Sequence, residues 1–207
     1  MRFAGGIAVL AVLGVLAGLA GATPIVTQVE PAASLALAEI TVRDMGTHIE
    51  LDLYKHFYSS QMMGSPLVLQ VVLTQADAGK DIWLVNGAGG ERVENATGVN
   101  WTDFHFVLAN VAAGWPQPLP QFADARFVTG QVSSDVFGVP ALMTNTQIDF
   151  LGGPLVSGSF ATFSGIRISH NGAVDGTFYL KEIPTPEPAS LGLMLLGGLA
   201  MLRRRSR

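Results

Sequence analysis

Between residues 23 and 183 the chain alternates short runs of Val, Ile, Leu, Phe and Thr with clusters of Gly, Asn, Asp, Ser and Pro. The runs at 35–42, 48–54, 67–75, 81–86, 101–109, 125–129, 147–151, 160–169 and 177–183 read as strands, because they are short, rich in β-branched and aromatic residues, and bounded by turn residues. Asn86-Gly87, Asn171-Gly172 and Asp175-Gly176 are hairpin-type turn signals, since glycine tolerates positive φ. No long stretch of this region repeats with a period of 3.6. Two runs alternate plainly. Ile49, Leu51 and Leu53 fall on one side of a strand, with His48, Glu50 and Asp52 on the other. Phe104, Phe106 and Leu108 oppose Trp101, Asp103 and His105, as a two-residue period requires. The pattern predicts an all-β fold, an antiparallel β-sandwich of jelly-roll-like or immunoglobulin-like kind. The Cys–Trp–Cys pattern of antibody domains is missing. Residues 112–121 (AAGWPQPLPQ) read as an exposed proline-rich loop.

The two ends follow different patterns. Met1 and Arg2 precede an uncharged apolar run, residues 7–19, and then Ala20-Gly21-Ala22. A basic start, a short apolar core and an A-x-A site are the parts of a secretory signal peptide. Cleavage is expected after Ala22, leaving Thr23 as the new N-terminus. The apolar run is shorter than the roughly 20 residues a spanning helix needs, which favours a cleaved signal over a retained anchor. Signal peptidase and the Sec translocon are the expected partners.

At the other end Ile183-Pro184-Thr185 leads into Pro186-Glu187-Pro188, then the uncharged stretch 189–202 (ASLGLMLLGGLAML), then Arg203, Arg204 and Arg205. Prolines interrupt helices and strands, so they are expected to mark a break and a stiff spacer. As a helix at 1.5 Å per residue the apolar stretch reaches about 21 Å, short of the roughly 30 Å hydrocarbon core. The arginines would stay cytoplasmic, so a chain with a signal peptide in front would place its domain outside. Pro186-Glu187-Pro188, the short apolar helix and the arginine cluster resemble the PEP-CTERM sorting signal. That resemblance implies recognition by an exosortase, a membrane-embedded cysteine transpeptidase that cuts near Pro-Glu-Pro, in Gram-negative bacteria that make exopolysaccharide and biofilm matrix. An ordinary C-terminal anchor has the same topology but no Pro-Glu-Pro triplet. Residues 100–106 (NWTDFHF), 148–153 (IDFLGG) and 176–180 (GTFYL) are similar to stretches in the extracellular β-domains of PEP-CTERM proteins, which implies a β-sandwich and carries over no catalytic residues. The expected organisation is therefore 1–22 signal peptide, 23–183 β-sandwich and 184–207 sorting signal, with an inner-membrane-anchored precursor passed to the cell surface or extracellular matrix.

Charge and composition narrow the partners. The net charge of −4 for 207 residues conceals 15 Asp and Glu against 7 Lys and Arg between Thr23 and Ile183, a balance of −8. An acidic domain repels phosphate backbones, so no nucleic-acid partner is expected. The 161 residues from Thr23 to Ile183 can bury one substantial core. With no cysteine, disulfides, zinc–thiolate sites and cysteine nucleophiles are excluded, and the domain must rely on packing or bound ions.

Candidate chemistry is sparse. His48, Glu50 and Asp52 have the donor types for a divalent transition metal, but alternation alone puts polar residues on a solvated strand face, and no metal or other cofactor is expected. Trp101, Asp103 and His105 form a candidate glycan contact, the indole stacking on a pyranose and the polar pair binding hydroxyls; the competing reading packs Trp101 at the sheet edge. Asp77, Asp81, Asp103, Asp124, Asp135, Asp149 and Asp175 offer oxygen ligands for calcium, yet lie in no EF-hand or repeat motif and suit turn capping. Asn95-Ala96-Thr97 and Asn100-Trp101-Thr102 match the N-glycosylation pattern by chance. Residues 87–90 (GAGG) lack the Lys-Ser/Thr of a phosphate loop, and no G-x-S-x-G or H-E-x-x-H is present. No catalytic residue is assigned. Three readings follow: a non-enzymatic surface or matrix protein linked to exopolysaccharide; a carbohydrate-binding module; a secreted hydrolase, whose paired carboxylates only spatial separation could reveal.

Overall fold

The alternation at 49–53 continues four residues further in the structure. Strand β3 spans His48–Phe57, and its buried positions are Ile49, Leu51, Leu53, Lys55 and Phe57. Successive side chains of a pleated strand point to opposite faces, so one face of β3 lines the core and the other carries His48, Glu50, Asp52, Tyr54 and His56. The computed structural model describes residues 23–62, 64–87, 89–110, 125–170 and 176–186. The signal segment, the loop at 112–121, the Asn171-Gly172 turn, and the tail from Glu187 through Arg203, Arg204 and Arg205 lie outside these residues. Among the described residues no helix is long and apolar enough to cross a membrane.

The remaining strands are β1 (Ile25–Glu30), β2 (Ala36–Asp44), β4 (Leu67–Val72), β5 (Asp81–Asn86), β6 (Gly89–Asn95), β7 (Trp101–Ala109), β8 (Arg126–Phe127), β9 (Ser133–Ser134), β10 (Leu142–Met143), β11 (Gln147–Leu155), β12 (Ser159–Ser164), β13 (Arg167–Ser169) and β14 (Thr177–Pro186). They form two sheets. The first has the order β1-β4-β14-β7-β11-β10, and the second β8-β13-β5-β3-β6-β12-β9 with β2 paired on β3. The fold is thus all-β and sandwich-like. The expectation of a purely antiparallel arrangement is corrected at one place, because β3 runs parallel to both β5 and β6. The chain leaves β3 for β4 in the other sheet and then returns, so its next strand in the second sheet points the same way. The ladder passes from β5 to β6 through a tight turn in which Asn86 pairs with Gly89 and Gly87 has φ +57°.

The prolines near the end also depart from expectation. Pro184 and Pro186 do not break the chain but close β14, with Pro184 opposite Phe104 and Pro186 opposite Trp101 on β7. The Gly64 N–H donates to the Pro184 carbonyl from the β4 side (2.8 Å). In a strand, N and C=O of one residue face the same neighbour, so the ring nitrogen of Pro184 also points to that side, where the β4 ladder has already ended at Glu182 opposite Leu67. A missing N–H costs no ladder bond there.

The core lies between the sheets. Phe57 meets Trp101 edge-on at 5.2 Å between ring centres. Phe163 from β12 touches Phe104, Phe106 and Phe150 of the first sheet at 4.9 to 5.0 Å. Such aromatic pairs contribute roughly 0.5–1.5 kcal/mol each beyond the area they bury. The core is not wholly apolar: Lys55 (β3), Glu91 (β6) and Glu182 (β14) are fully buried, and the Lys55 ammonium contacts both carboxyl groups.

Candidate functional site

The outer face of the second sheet gathers aromatic and charged side chains, because every alternate position of β2, β3, β5, β6, β12 and β13 points there. Across one row Glu39, Tyr54, Arg92 and Thr162 are register partners; across the next lie His56, Glu94 and Phe160. The Tyr54 hydroxyl donates to Glu94 (2.8 Å), and the two ring nitrogens of His56 lie 2.8 Å from Glu94 and 3.1 Å from Glu39. His56 packs between Tyr54 (ring centres 4.0 Å apart) and Tyr58 (5.8 Å, 10° between planes). The Arg92 guanidinium lies 3.7 Å over the Phe160 ring and 4.8 Å from that of Tyr54. Tyr58 and Phe160 remain 43% and 47% exposed. Strand geometry puts them about 12 Å apart, two strands across and two residues along.

Electrostatics fix this cluster. The hydrogen bond from Tyr54, supported by His56 and Arg92, outweighs burial and holds the Glu94 carboxyl below the usual carboxylate range. Burial, with the Glu94 charge behind it, raises the Tyr54 phenol, so Tyr54 stays a hydrogen-bond donor. At the other end of the face His48 stacks on Trp83 at 4.1 Å, with Arg167 5.5 Å from the Trp83 ring centre. Arg43 pairs with Glu50 (3.4 Å) and with Asp52. His48, Glu50 and Asp52 therefore share a face, as alternation requires, but Arg43 binds both carboxylates.

The candidate glycan contact at Trp101, Asp103 and His105 is not brought together. Trp101 is 0% exposed, its indole N–H donates to Thr97 (3.3 Å), and it stacks on Phe104 in the core. Pro186 pairs with Trp101 and Thr185 with Asp103, so the extra residue Thr102 forms a bulge. One additional residue shifts the face parity, sending Trp101 inward while Asp103 and His105 stay outward. The buried indole has no face open to a sugar. His105 instead lies 2.8 Å from Asp149, whose two oxygens also accept from Gln147 (2.9 and 3.0 Å).

Of the scattered aspartates, Asp77 and Asp135 act within turns and loops, whereas Asp81, Asp103 and Asp149 stand on strands β5, β7 and β11. Asp77 accepts from the backbone N–H (2.6 Å) and hydroxyl (2.8 Å) of Thr74, and Asp135 accepts from the Thr162 N–H (2.7 Å). Asp103 accepts from the Gly152 N–H at 3.4 Å; Asp124 and Asp175 lie outside the described residues. Asn95 is fully buried and donates to the Val99 and Leu155 carbonyls, so it is no glycan acceptor in the folded domain. Among the described residues no group of three His, Cys, Asp or Glu could hold a metal ion.

The residues that sequence reasoning missed are Tyr54, His56, Tyr58, Trp83, Arg92 and Phe160. Tyr54, His56 and Tyr58 stand at i, i+2 and i+4, an alternation visible in the sequence. Comparison with family models, curated proteins and solved structures returns no match for this chain.

Proposed function

We propose that this chain is an exported, non-enzymatic surface or extracellular-matrix protein, sorted by an exosortase, whose β-domain associates with exopolysaccharide through the outer face of the second sheet. The address rests on the signal peptide and the Pro186-Glu187-Pro188 tail with Arg203, Arg204 and Arg205. The binding role rests on one observation: Tyr58 and Phe160 are exposed aromatic side chains on a sheet face otherwise lined by polar Glu39, His56, Glu94 and Arg92. Sugar rings present apolar C–H faces that stack on aromatic rings, and their hydroxyls take hydrogen bonds at the rim. Two exposed rings on one sheet face suit a long polymer better than a small substrate, because successive sugars can contact Tyr58 and Phe160 separately.

The reading is tested by affinity electrophoresis of the full chain in gels containing a neutral or a uronate-rich bacterial exopolysaccharide. Wild type should be retarded by at least one of them. The double variant Tyr58→Ala/Phe160→Ala should lose about tenfold or more in affinity, the equivalent of 1.4 kcal/mol, with an unchanged fold by circular dichroism. Equal retardation of variant and wild type removes this face as the binding site.

A further inference from the structure

Lys55, Glu91 and Glu182 are an unusual set to place in an apolar core. All three are fully buried. The Lys55 amino nitrogen contacts Oε1 of Glu91 and Oε1 of Glu182. The second oxygen of each glutamate is buried without a hydrogen-bond partner. Their register neighbours are apolar: Val93 and Ala38 beside Lys55, Phe163 beside Glu91, and Phe106 and Leu67 beside Glu182. A buried ion pair is at best about neutral against apolar residues of similar volume, and here two acids share one amine, leaving carboxyl oxygens uncompensated. Stability alone gives no reason for the arrangement. Reactivity does.

We propose that Lys55 and Glu182 condense into an intramolecular amide, an isopeptide bond joining the two sheets, with Glu91 carrying the proton. A proton passes from the Lys55 ammonium to the Glu91 carboxylate, and the freed amine attacks Cδ of the Glu182 carboxylic acid. Glu91 hands that proton to the Glu182 carbonyl oxygen as the C–N bond forms. The nitrogen of the tetrahedral centre then passes a proton to Glu91, which delivers it to one of the two hydroxyl groups. That oxygen leaves as water, and the remaining hydroxyl gives its proton to Glu91 as the amide C=O forms. One C–N bond forms, one C–O bond breaks, one water is released, the Lys55 proton ends on Glu91, and no oxidant, reductant or co-reactant is required.

Three features of the structure favour this step. Burial first, and the neighbouring Glu91 charge next, hold the Glu182 carboxyl well above the ordinary range, so it persists as the acid, which is the electrophilic form. Contact in a packed interior converts a bimolecular reaction into a unimolecular one, an advantage of about 10⁵ M or more in effective concentration. The apolar surroundings exclude the water that would favour the reverse reaction. Glu182 is the better acceptor by position: Lys55 and Glu91 stand on adjacent strands of one sheet, whereas Glu182 is 127 residues along the chain in the opposite sheet. A protein without cysteine would thereby gain a covalent tie between its layers.

Mass spectrometry of the purified full chain decides the matter. After denaturation and tryptic digestion, the peptide carrying Lys55 should be joined to the peptide carrying Glu182, the pair lighter by one water than the sum of its parts. Lys55→Arg keeps the positive charge but cannot condense, and should return both peptides unlinked at their full masses. Glu91→Gln should fold, as judged by circular dichroism, while the bond forms about 100-fold more slowly, the scale of a lost proton carrier. Unlinked peptides from folded wild type overturn the proposal. A link from Lys55 to Glu91 overturns Glu182 as acceptor, and an unchanged rate in Glu91→Gln overturns the proton-carrying role.

Discussion

The Tyr54 hydroxyl donates to the Glu94 carboxylate across 2.8 Å, between two strands that run parallel, β3 and β6. This bond is the main reason the Glu94 carboxyl lies below the usual range. A carboxylate depressed by folding stabilises the native state above its unfolded value, and the contribution disappears as pH falls through the folded value. Tyr54→Phe should therefore raise the Glu94 titration midpoint and cost about 1 kcal/mol at neutral pH, the scale of a hydrogen bond to a partly exposed charge. The difference from wild type should shrink toward zero in acid. Carbon-detected NMR titration of Glu94, with denaturation at neutral and acid pH, measures both; identical midpoints in the two proteins contradict the assignment.

Trp101 belongs to the core and not to a ligand site. Trp101→Ala should destabilise the domain by roughly 3–5 kcal/mol, the cost of emptying a large aromatic position. If polysaccharide binds at the proposed Tyr58 and Phe160 face, the fraction that remains folded should be retarded by it as wild type is. Denaturant unfolding separates this from loss of a contact residue, since a ligand-contact lesion would leave stability unchanged.

Gly90 lies close against the backbone of β12. A Cβ there would sit 1.9 Å from the Phe163 carbonyl oxygen, which is backbone and cannot swing away. Gly90→Ala should cost about 1–3 kcal/mol by forcing the strands apart, and amide exchange should rise in β6 and β12 before β1 and β4. Unaltered stability would show that the second sheet gives way more easily than its packing implies.

Sorting can be tested without disturbing the sheet. Pro186 ends β14, so Glu187→Ala/Pro188→Ala leaves the strand intact while removing two-thirds of the Pro-Glu-Pro triplet. Cells making this variant should accumulate a full-length, membrane-retained precursor on immunoblots. Trimming at the wild-type rate removes exosortase recognition from the account.

Much of the fold was legible where inward positions are apolar. Strands β3, β7 and β11 declared themselves because Ile49, Leu51 and Leu53, Phe104 and Phe106, and Ile148 and Phe150 alternate with polar neighbours. Strand β6 did not, since its inward positions include Glu91 and Asn95 and its outward ones Arg92 and Glu94, which erases the contrast that alternation needs. Strand β1 escaped notice as an edge strand paired only with β4 and mostly exposed. Lys55 concealed more than itself. A lysine at an inward position made β3 seem to stop at Tyr54, and with it disappeared the stripe of Tyr54, His56 and Tyr58. The bulge at Thr102 misled in the opposite sense, since strict counting puts Trp101 beside Asp103. The meeting of Phe160 with Arg92 depends on which strands pair, and local pattern carries no information on that.

The position of β14 bears on how the domain responds to pulling. It lies between β4 and β7 and is laddered to both, from Thr177 opposite Val72 to Pro186 opposite Trp101. A force applied at residue 186 along the strand is resisted lengthwise by the hydrogen bonds of two ladders together, so they fail in shear as a group. Were β14 an edge strand peeled sideways, the same bonds would open one after another under a much smaller load.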